Sequence, residues 1–172
     1  YDKKFSQSPM PMDLALSWTN YLASNELKTF LNLNKAKNHE DYLKALESFY
    51  CPGQNFIYAD VEGNVAIKQQ GLFPKTAIDK DKFVLQGQSS MQMMDKFIPI
   101  QENPYVLNPQ RGFVSSANQH PTDNSYPHYY SSGDFEAYRN RRINEVLSIK
   151  DKYSIQDMKN LQGDNFGLMA KE

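Results

Sequence analysis

Residues 54–71, "QNFIYADVEGNVAIKQQG", decide how the rest of the chain is read. Two β-rich runs flank Glu62-Gly63-Asn64, a turn composition that admits positive φ, so the stretch predicts a β-hairpin. Just upstream, "NHEDYLKALESFY" (38–50) predicts a helix over 39–49. Asn38 suits its N-cap, Glu40 and Asp41 sit where the helix dipole favours anions, and Tyr42, Leu43, Leu46, Phe49 and Tyr50 form an apolar stripe. Pro52-Gly53 ends it. Further back, "SNELKTFLNL" carries Leu27, Phe30 and Leu31 at helical spacing, predicting a helix over 26–33. "LALSWTN" (14–20) alternates Leu14, Leu16 and Trp18 against Ala15, Ser17 and Thr19, which predicts a strand near 14–19. A helical reading through Leu14, Trp18 and Tyr21 stays open.

Downstream of the hairpin, residues 72–110 carry Pro74, Pro99, Pro104 and Pro109 and the patch "QGQSSMQMM", and are expected to be mostly irregular. A regular helix across 84–95 would contradict that. A long connection of this kind inside a compact domain is usually functional or wraps another part of the protein. "FVSSANQHPTD" (113–123) begins with β-formers and predicts a strand near 112–117 that Pro121 halts. Two helices follow, over 135–148 with Asp134 as cap and over 155–162 with Ser154 and Asp157 as an acidic capping box. In the first, Phe135, Tyr138, Ile143, Val146 and Leu147 make the expected core face; in the second, Tyr153 and Met158 hold the staple positions. The fold class is α+β, in a single partial domain over 1–172.

Composition bounds the function. The chain has 172 residues, 40% hydrophobic and 23% charged, as in a globular domain with a real core. Its 11 Tyr and 10 Phe supply large buried area. A net charge of -1 without a basic block argues against nucleic acid as the main partner. Cys51 is alone, so neither a disulfide framework nor a Cys-based metal site is available. No run approaches the ~18 apolar residues of a membrane span. The chain starts at Tyr1 without a targeting segment and stops at "FGLMAKE", where a helix has just begun. It therefore reads as a piece of a longer protein.

The usual catalytic sets are incomplete. His39 lies in a helix's first turn and is expected to be solvated; His120 and His128 share a loop and make only a weak candidate metal pair. Cys51 reads as a packed helix-end residue rather than a nucleophile. No phosphate-cradling glycine loop exists. What remains is a set of amides and a guanidinium pair. Asn118, at a strand end, can offer its NH₂ to a developing oxyanion, or form an Asx turn before Pro121. Arg139 and Arg142 are three apart on one helix face, which by itself reads as a solvated face.

Several segments together resemble one family. "NFIYADVEGNVAIKQQGLFP" is similar to the Asn-x-x-Tyr-Ala-Asp-x-x-Gly-Asn hairpin of the penicillin acylase (penicillin amidase) family, and "NPQRGFVSSANQHP" to its segment ending Ala-Asn-(Asn/Gln). "YRNRRINEVL" resembles its Tyr-Arg-x-x-Arg-Ile motif, and "SIQDMKNLQGD" the helix that follows. "LSWTN" and "LNLNKAKNHEDYLKAL" match its Trp-Thr strand and Asn-x-Ala-x-Asn helix. The segments fall in the family's order over nearly the whole chain.

The resemblance implies an N-terminal-nucleophile hydrolase, built as a four-layer αββα sandwich. In such enzymes self-cleavage exposes a Ser, Thr or Cys whose α-amino group acts as base. It places this chain in the later part of the nucleophile-bearing β-chain, with the nucleophile upstream, since Tyr1 is not one and Ser6 and Ser8 lack the motif. It implies that Asn118 is the oxyanion-hole side chain and that Arg139 organises the site. Gln54 and Asn55 would lie beside the acyl-group pocket; Gln54 stands where a relative has an aliphatic residue, a departure that counts against a phenylacetyl-type substrate. The implied activity is hydrolysis of a linear amide such as an acylated β-lactam or an acyl-homoserine lactone. The other reading is a non-catalytic module that binds an acylated ligand. No cofactor is expected; calcium is possible in the full-length protein, with no ligands placed here. The implied partners are the amide substrate and the upstream α- and β-chain segments, and the implied location is periplasmic or extracellular.

Overall fold

The hairpin forms because its turn is tied from within. In the computed structural model, which describes residues 16, 18–75, 96–128 and 136–172, strands β1 (Gln54–Ala59) and β2 (Val65–Gln70) pair antiparallel from Gln54↔Gln70 to Ala59↔Val65. Gly63 takes φ +91°, where a side chain would be strained. The Asp60 carboxylate gathers the turn: Oδ1 accepts from the Glu62 N–H (3.0 Å) and the Asn64 N–H (2.9 Å), and Oδ2 from Asn64 Nδ2 (2.8 Å) and the Tyr58 hydroxyl (2.9 Å). The Tyr-Ala-Asp-x-x-Gly-Asn spacing is thus the wiring of one turn.

That wiring has a pH consequence. The Asn64 side chain, above all, holds the Asp60 carboxyl below its ordinary value, with the Asn64 N–H, Tyr58 and the Glu62 N–H adding to it. A carboxyl whose pKa is lower folded than unfolded stabilises fully above the unfolded value, about 4, and that contribution is lost as pH falls through the folded value. Asp60→Asn keeps the shape but loses the charge. Thermal melts of the intact protein between about pH 5 and 2 should therefore fall less steeply for Asp60→Asn than for the native protein. Equal slopes would show that this turn carries no acid-sensitive stability.

A third strand, β3 (Tyr105–Leu107), pairs antiparallel with β2, giving the order β1-β2-β3. The described part of the 72–110 stretch is mostly irregular, as expected, with β3 and a short 3-10 turn at Ile100–Glu102 as its regular pieces. Residues 73–75 are also joined to 96–98, with the Lys75 N–H bonding Lys96 O (2.8 Å) and the Ile98 N–H bonding Phe73 O (2.9 Å). Residues 84–95 lie outside the described residues. Gly53 and Gly71 let the Phe73 ring close on the hairpin's open end: a Cβ at Gly53 would sit 2.7 Å from that ring, and one at Gly71 would meet it at 3.0 Å and the Gly53 Cα at 2.9 Å.

Alternation along β2 buries Ala66, Lys68 and Gln70 on one face. Helix α2 (His39–Leu46) covers it, with Tyr42, Ala45, Leu46 and the following Phe49 buried. Asn38 caps α2 as expected, accepting from the Asp41 N–H at 2.8 Å. The Tyr42 hydroxyl donates to Phe56 O at 2.8 Å, and Phe49 meets Phe56 edge-on at 5.0 Å. Helix α1 (Glu26–Leu33), capped by Asn25, packs on α2 through Thr29, whose hydroxyl lies 2.8 Å from that of Ser48. The opposite sheet face carries Ile57 and Val106, which are 56% and 45% exposed.

Three helices close the chain: α3 (Tyr138–Leu147), α4 (Ile155–Gln162) and α5 (Leu168–Lys171). The Ser154–Asp157 capping box of α4 forms, and the Tyr153 hydroxyl donates to Val146 O of α3. Asp157, bonded first by Lys150 and then by Ser154, has its carboxyl held down at about 2.

Three expectations need correction. Helix α3 begins at Tyr138, after non-helical residues 136–137; Asp134 and Phe135 lie outside the described residues, and Ala137 offers no side-chain cap. Its buried residue is Asn140 rather than any of the apolar residues at 138, 143, 146 and 147. No strand forms over 112–117, because the Gln119 side chain takes backbone groups that a ladder would use. At the N-terminus, residues 14, 15 and 17 lie outside the described residues, Leu16 and Trp18 are exposed, and Thr19–Tyr21 make a 3-10 turn where the strand was to end.

Candidate functional site

The residues 113–119 form an arm held in shape by side chains. Arg111 Nε donates to Phe113 O at 2.8 Å while its guanidinium lies 4.8 Å from the Phe113 ring. The Gln119 carboxamide bridges the arm: Oε1 accepts from the Ala117 N–H at 2.8 Å and Nε2 donates to Ser115 O at 3.2 Å. Between them Asn118 adopts φ +64°, the left-handed region that Asn tolerates better than other side-chain-bearing residues. The arm is tied to the hairpin by Asn55, whose Nδ2 donates to Ser116 Oγ at 2.6 Å.

Helix α3 meets this arm with a polar face. Arg139 Nη2 donates to Asn118 Oδ1 at 2.6 Å and reaches Ala117 O at 3.4 Å. A guanidinium only donates, so the carboxamide atom facing it must be the oxygen. Arg139 therefore fixes the amide's orientation and turns its NH₂ away. Among the described residues Asn118 Nδ2 has no acceptor, and the side chain is exposed. The result is a pre-aimed donor at an exposed position, and a donor so placed can stabilise negative charge on an acceptor brought up to it.

The other candidates separate. Gln54, at the start of β1, has its side chain on the sheet face opposite Asn55 and makes no side-chain hydrogen bond to a described residue. Arg142, chemically a twin of Arg139, instead pairs with Asp164 at 2.8 Å and lies 4.6 Å from the Phe166 ring, joining α3 to the segment after α4. His39 is not simply solvated. It stacks between Tyr42 and Tyr105 and lies 2.9 Å from the Tyr105 hydroxyl. His120 turns back on Thr122, and His128 pairs with Glu102. Cys51 Sγ accepts from the Thr19 hydroxyl at 3.5 Å and its N–H bonds Glu26, a packed position at the end of the α2 region. No group of three His, Cys, Asp or Glu among the described residues is arranged to hold a metal ion. Sequence reasoning overlooked Ser115, Asn140 and Asn144; the i,i+4 spacing of the two asparagines was the available signal.

A family model described as penicillin amidase matches residues 3–172. Acyl-homoserine lactone acylase QuiP of Pseudomonas putida is 22% identical over 94% of this chain and 20% of its own length. The protein of the same name from Pseudomonas syringae pv. syringae is 25% identical over 80% of this chain and 16% of its own length. Among solved structures, the thermostable penicillin G acylase from Alcaligenes faecalis superposes with a TM-score of 0.64, at 23% identity, over 80% of this chain and 25% of that one. That likeness gives the fold. The chain spans a fifth or less of the length of these curated relatives.

Proposed function

The chain belongs to the penicillin amidase family, and we propose that it supplies the oxyanion-binding side chain of an enzyme that hydrolyses a linear amide through an acyl-enzyme. The observation that carries this is the Arg139–Asn118 contact of 2.6 Å, which leaves a carboxamide NH₂ presented for a further acceptor. In this reading a terminal Ser, Thr or Cys elsewhere in the intact protein attacks the amide carbonyl, with its own α-amino group as base. Negative charge then builds on the carbonyl oxygen, and Asn118 Nδ2 donates to it. Collapse expels the amine, and water releases the acid.

The substrate class is an N-acylated amine such as an acyl-homoserine lactone or an acylated β-lactam, chemistry that the names of the similar proteins suggest. Asn55, bonded to the arm through Ser116, would border the acyl-binding side, whereas Gln54, on the other sheet face, would lie away from it. The open sheet face at Ile57 and Val106 would meet the second sheet of an αββα sandwich contributed by the rest of the precursor. An extracytoplasmic location and self-processing follow from the same reading. Among the described residues, no helix is long and apolar enough to cross a membrane.

The test uses the intact protein. Amine release from acyl-homoserine lactones and acylated β-lactams should be measurable, and quenched protein should carry an acyl group on a newly exposed terminal Ser, Thr or Cys. Binding of such ligands without turnover, and without a processed terminus, would favour the non-catalytic module. The 172 residues alone should hydrolyse none of these amides above buffer, because an oxyanion donor stabilises only charge that an attack creates. Turnover by this piece that survives Cys51→Ala would overturn the assignment of the nucleophile to another segment.

A further inference from the structure

Asn118 and Arg139 are both exposed, yet they meet in one geometry, and something must hold the arm against the helix. Four side chains connect the two beneath the contact. Asn140 Nδ2 donates to Ser115 Oγ at 3.0 Å, and Asn144 Nδ2 donates to Asn140 Oδ1 at 2.7 Å. Arg111 Nη1 donates to Asn144 Oδ1 at 3.1 Å, with the Ser115 hydroxyl 3.5 Å from the same oxygen. Ser115 and Asn140 are only 7% and 9% exposed. Asn140 is the one buried residue of α3. A short helix that buries an amide in place of an apolar residue accepts a desolvation cost that apolar packing would avoid. What it gains is a fixed register, because each donor here has one acceptor at hydrogen-bonding distance.

The network reaches both members of the Asn118–Arg139 pair. Ser115 is three residues before Asn118, and Asn140 directly follows Arg139. We propose that the Ser115–Asn140–Asn144–Arg111 network positions the oxyanion donor, holding the arm and α3 in the register that lets Arg139 aim Asn118. This inference rests on the oxyanion reading of Asn118. The four are positioning residues: none of them reaches the presented NH₂.

The test is a double-mutant cycle in the intact enzyme. Asn140→Leu keeps the branched shape, with some added bulk, and removes the amide; it should lower kcat about 10- to 100-fold with KM changed by less than about twofold, the cost of a sub-ångström to ångström misplacement. In an Asn118→Ala background the same substitution should lower kcat no further, because its effect passes through Asn118. Asn140→Asp, which still accepts from Asn144 and can accept from the Ser115 hydroxyl, should recover most of the loss. If Asn140→Leu does not fold, Ser115→Ala breaks the same bridge with a smaller change and carries the same expectations. An equal fall in both backgrounds, or no fall in either, overturns the positioning role while leaving the oxyanion reading intact. An Asn118→Ala enzyme with native kcat overturns both.

Discussion

In the intact protein, Asn118→Ala should lower kcat by roughly 10²–10³-fold, the usual cost of one oxyanion donor. KM should change little, because the NH₂ is aimed at charge that exists only in the transition state. The left-handed backbone at Asn118, φ +64°, complicates an alanine there, which keeps the Cβ strain of about 1–2 kcal/mol but lacks the polar side chain that makes Asn tolerant of that conformation. Asn118→Gly separates the two effects. Glycine adopts the same φ at no steric cost yet carries no amide, so it should lose as much kcat as alanine while melting nearer the native temperature. Asn118→Asp should be as damaging or worse. Its carboxylate can keep the Arg139 contact but sets negative charge against the forming oxyanion. A residue that merely shapes a turn before Pro121 gives the opposite pattern, with Asp tolerated and turnover tracking stability. Native turnover by the Asp variant would exclude the oxyanion role.

The parts of the fold written in local chemistry were legible. The hairpin has its β-rich runs, its positive-φ glycine and an aspartate within reach of the turn's donors. The helices at 26–33 and 155–162 announce themselves by Asn25 and by Ser154 with Asp157, and both bounds coincide with the helices formed. Elements that depend on distant partners were not. Strand β3 is three residues between Pro104 and Pro109, and only its pairing with β2, some forty positions earlier, makes it a strand. The 112–117 run has strand composition, but the Gln119 side chain captures the backbone of Ser115 and Ala117. Period and propensity describe what a segment prefers; they do not say which side chain will claim its amides.

The same division runs through the site. Asn118 and Arg139 were each nameable from their motifs, but no pattern in either segment states that one meets the other. The contact spans 21 residues and exists because α3 buries Asn140 against Ser115. An apolar-stripe reading of α3 misses that, because it treats the helix's asparagines as its wet side. Arg142 shows the limit from the other direction. It shares Arg139's chemistry and lies one turn further along, yet Asp164 and Phe166, placed by a later segment, claim it.

Replacing Arg139 tests whether its role is orientation. A lysine or a glutamine in its place reaches the same neighbourhood, but lysine only donates, whereas glutamine offers both a donor and an acceptor. A donor-only partner still demands the oxygen of Asn118 and keeps the NH₂ presented. Glutamine accepts either orientation, and flipping Asn118 would then cost little more than one exchanged hydrogen bond. Arg139→Lys should therefore lose about 10-fold in kcat, through its poorer geometry, and Arg139→Gln about 100-fold, since a donor turned away contributes nothing to the transition state. Both Asn118 and Arg139 are exposed, so melts of the two variants should stay close to native. In the Asn118→Gly background the Lys and Gln variants should become equal, because no amide remains to orient. If glutamine retains more activity than lysine, or the ranking persists without Asn118, then Arg139 acts on something other than the direction of that carboxamide.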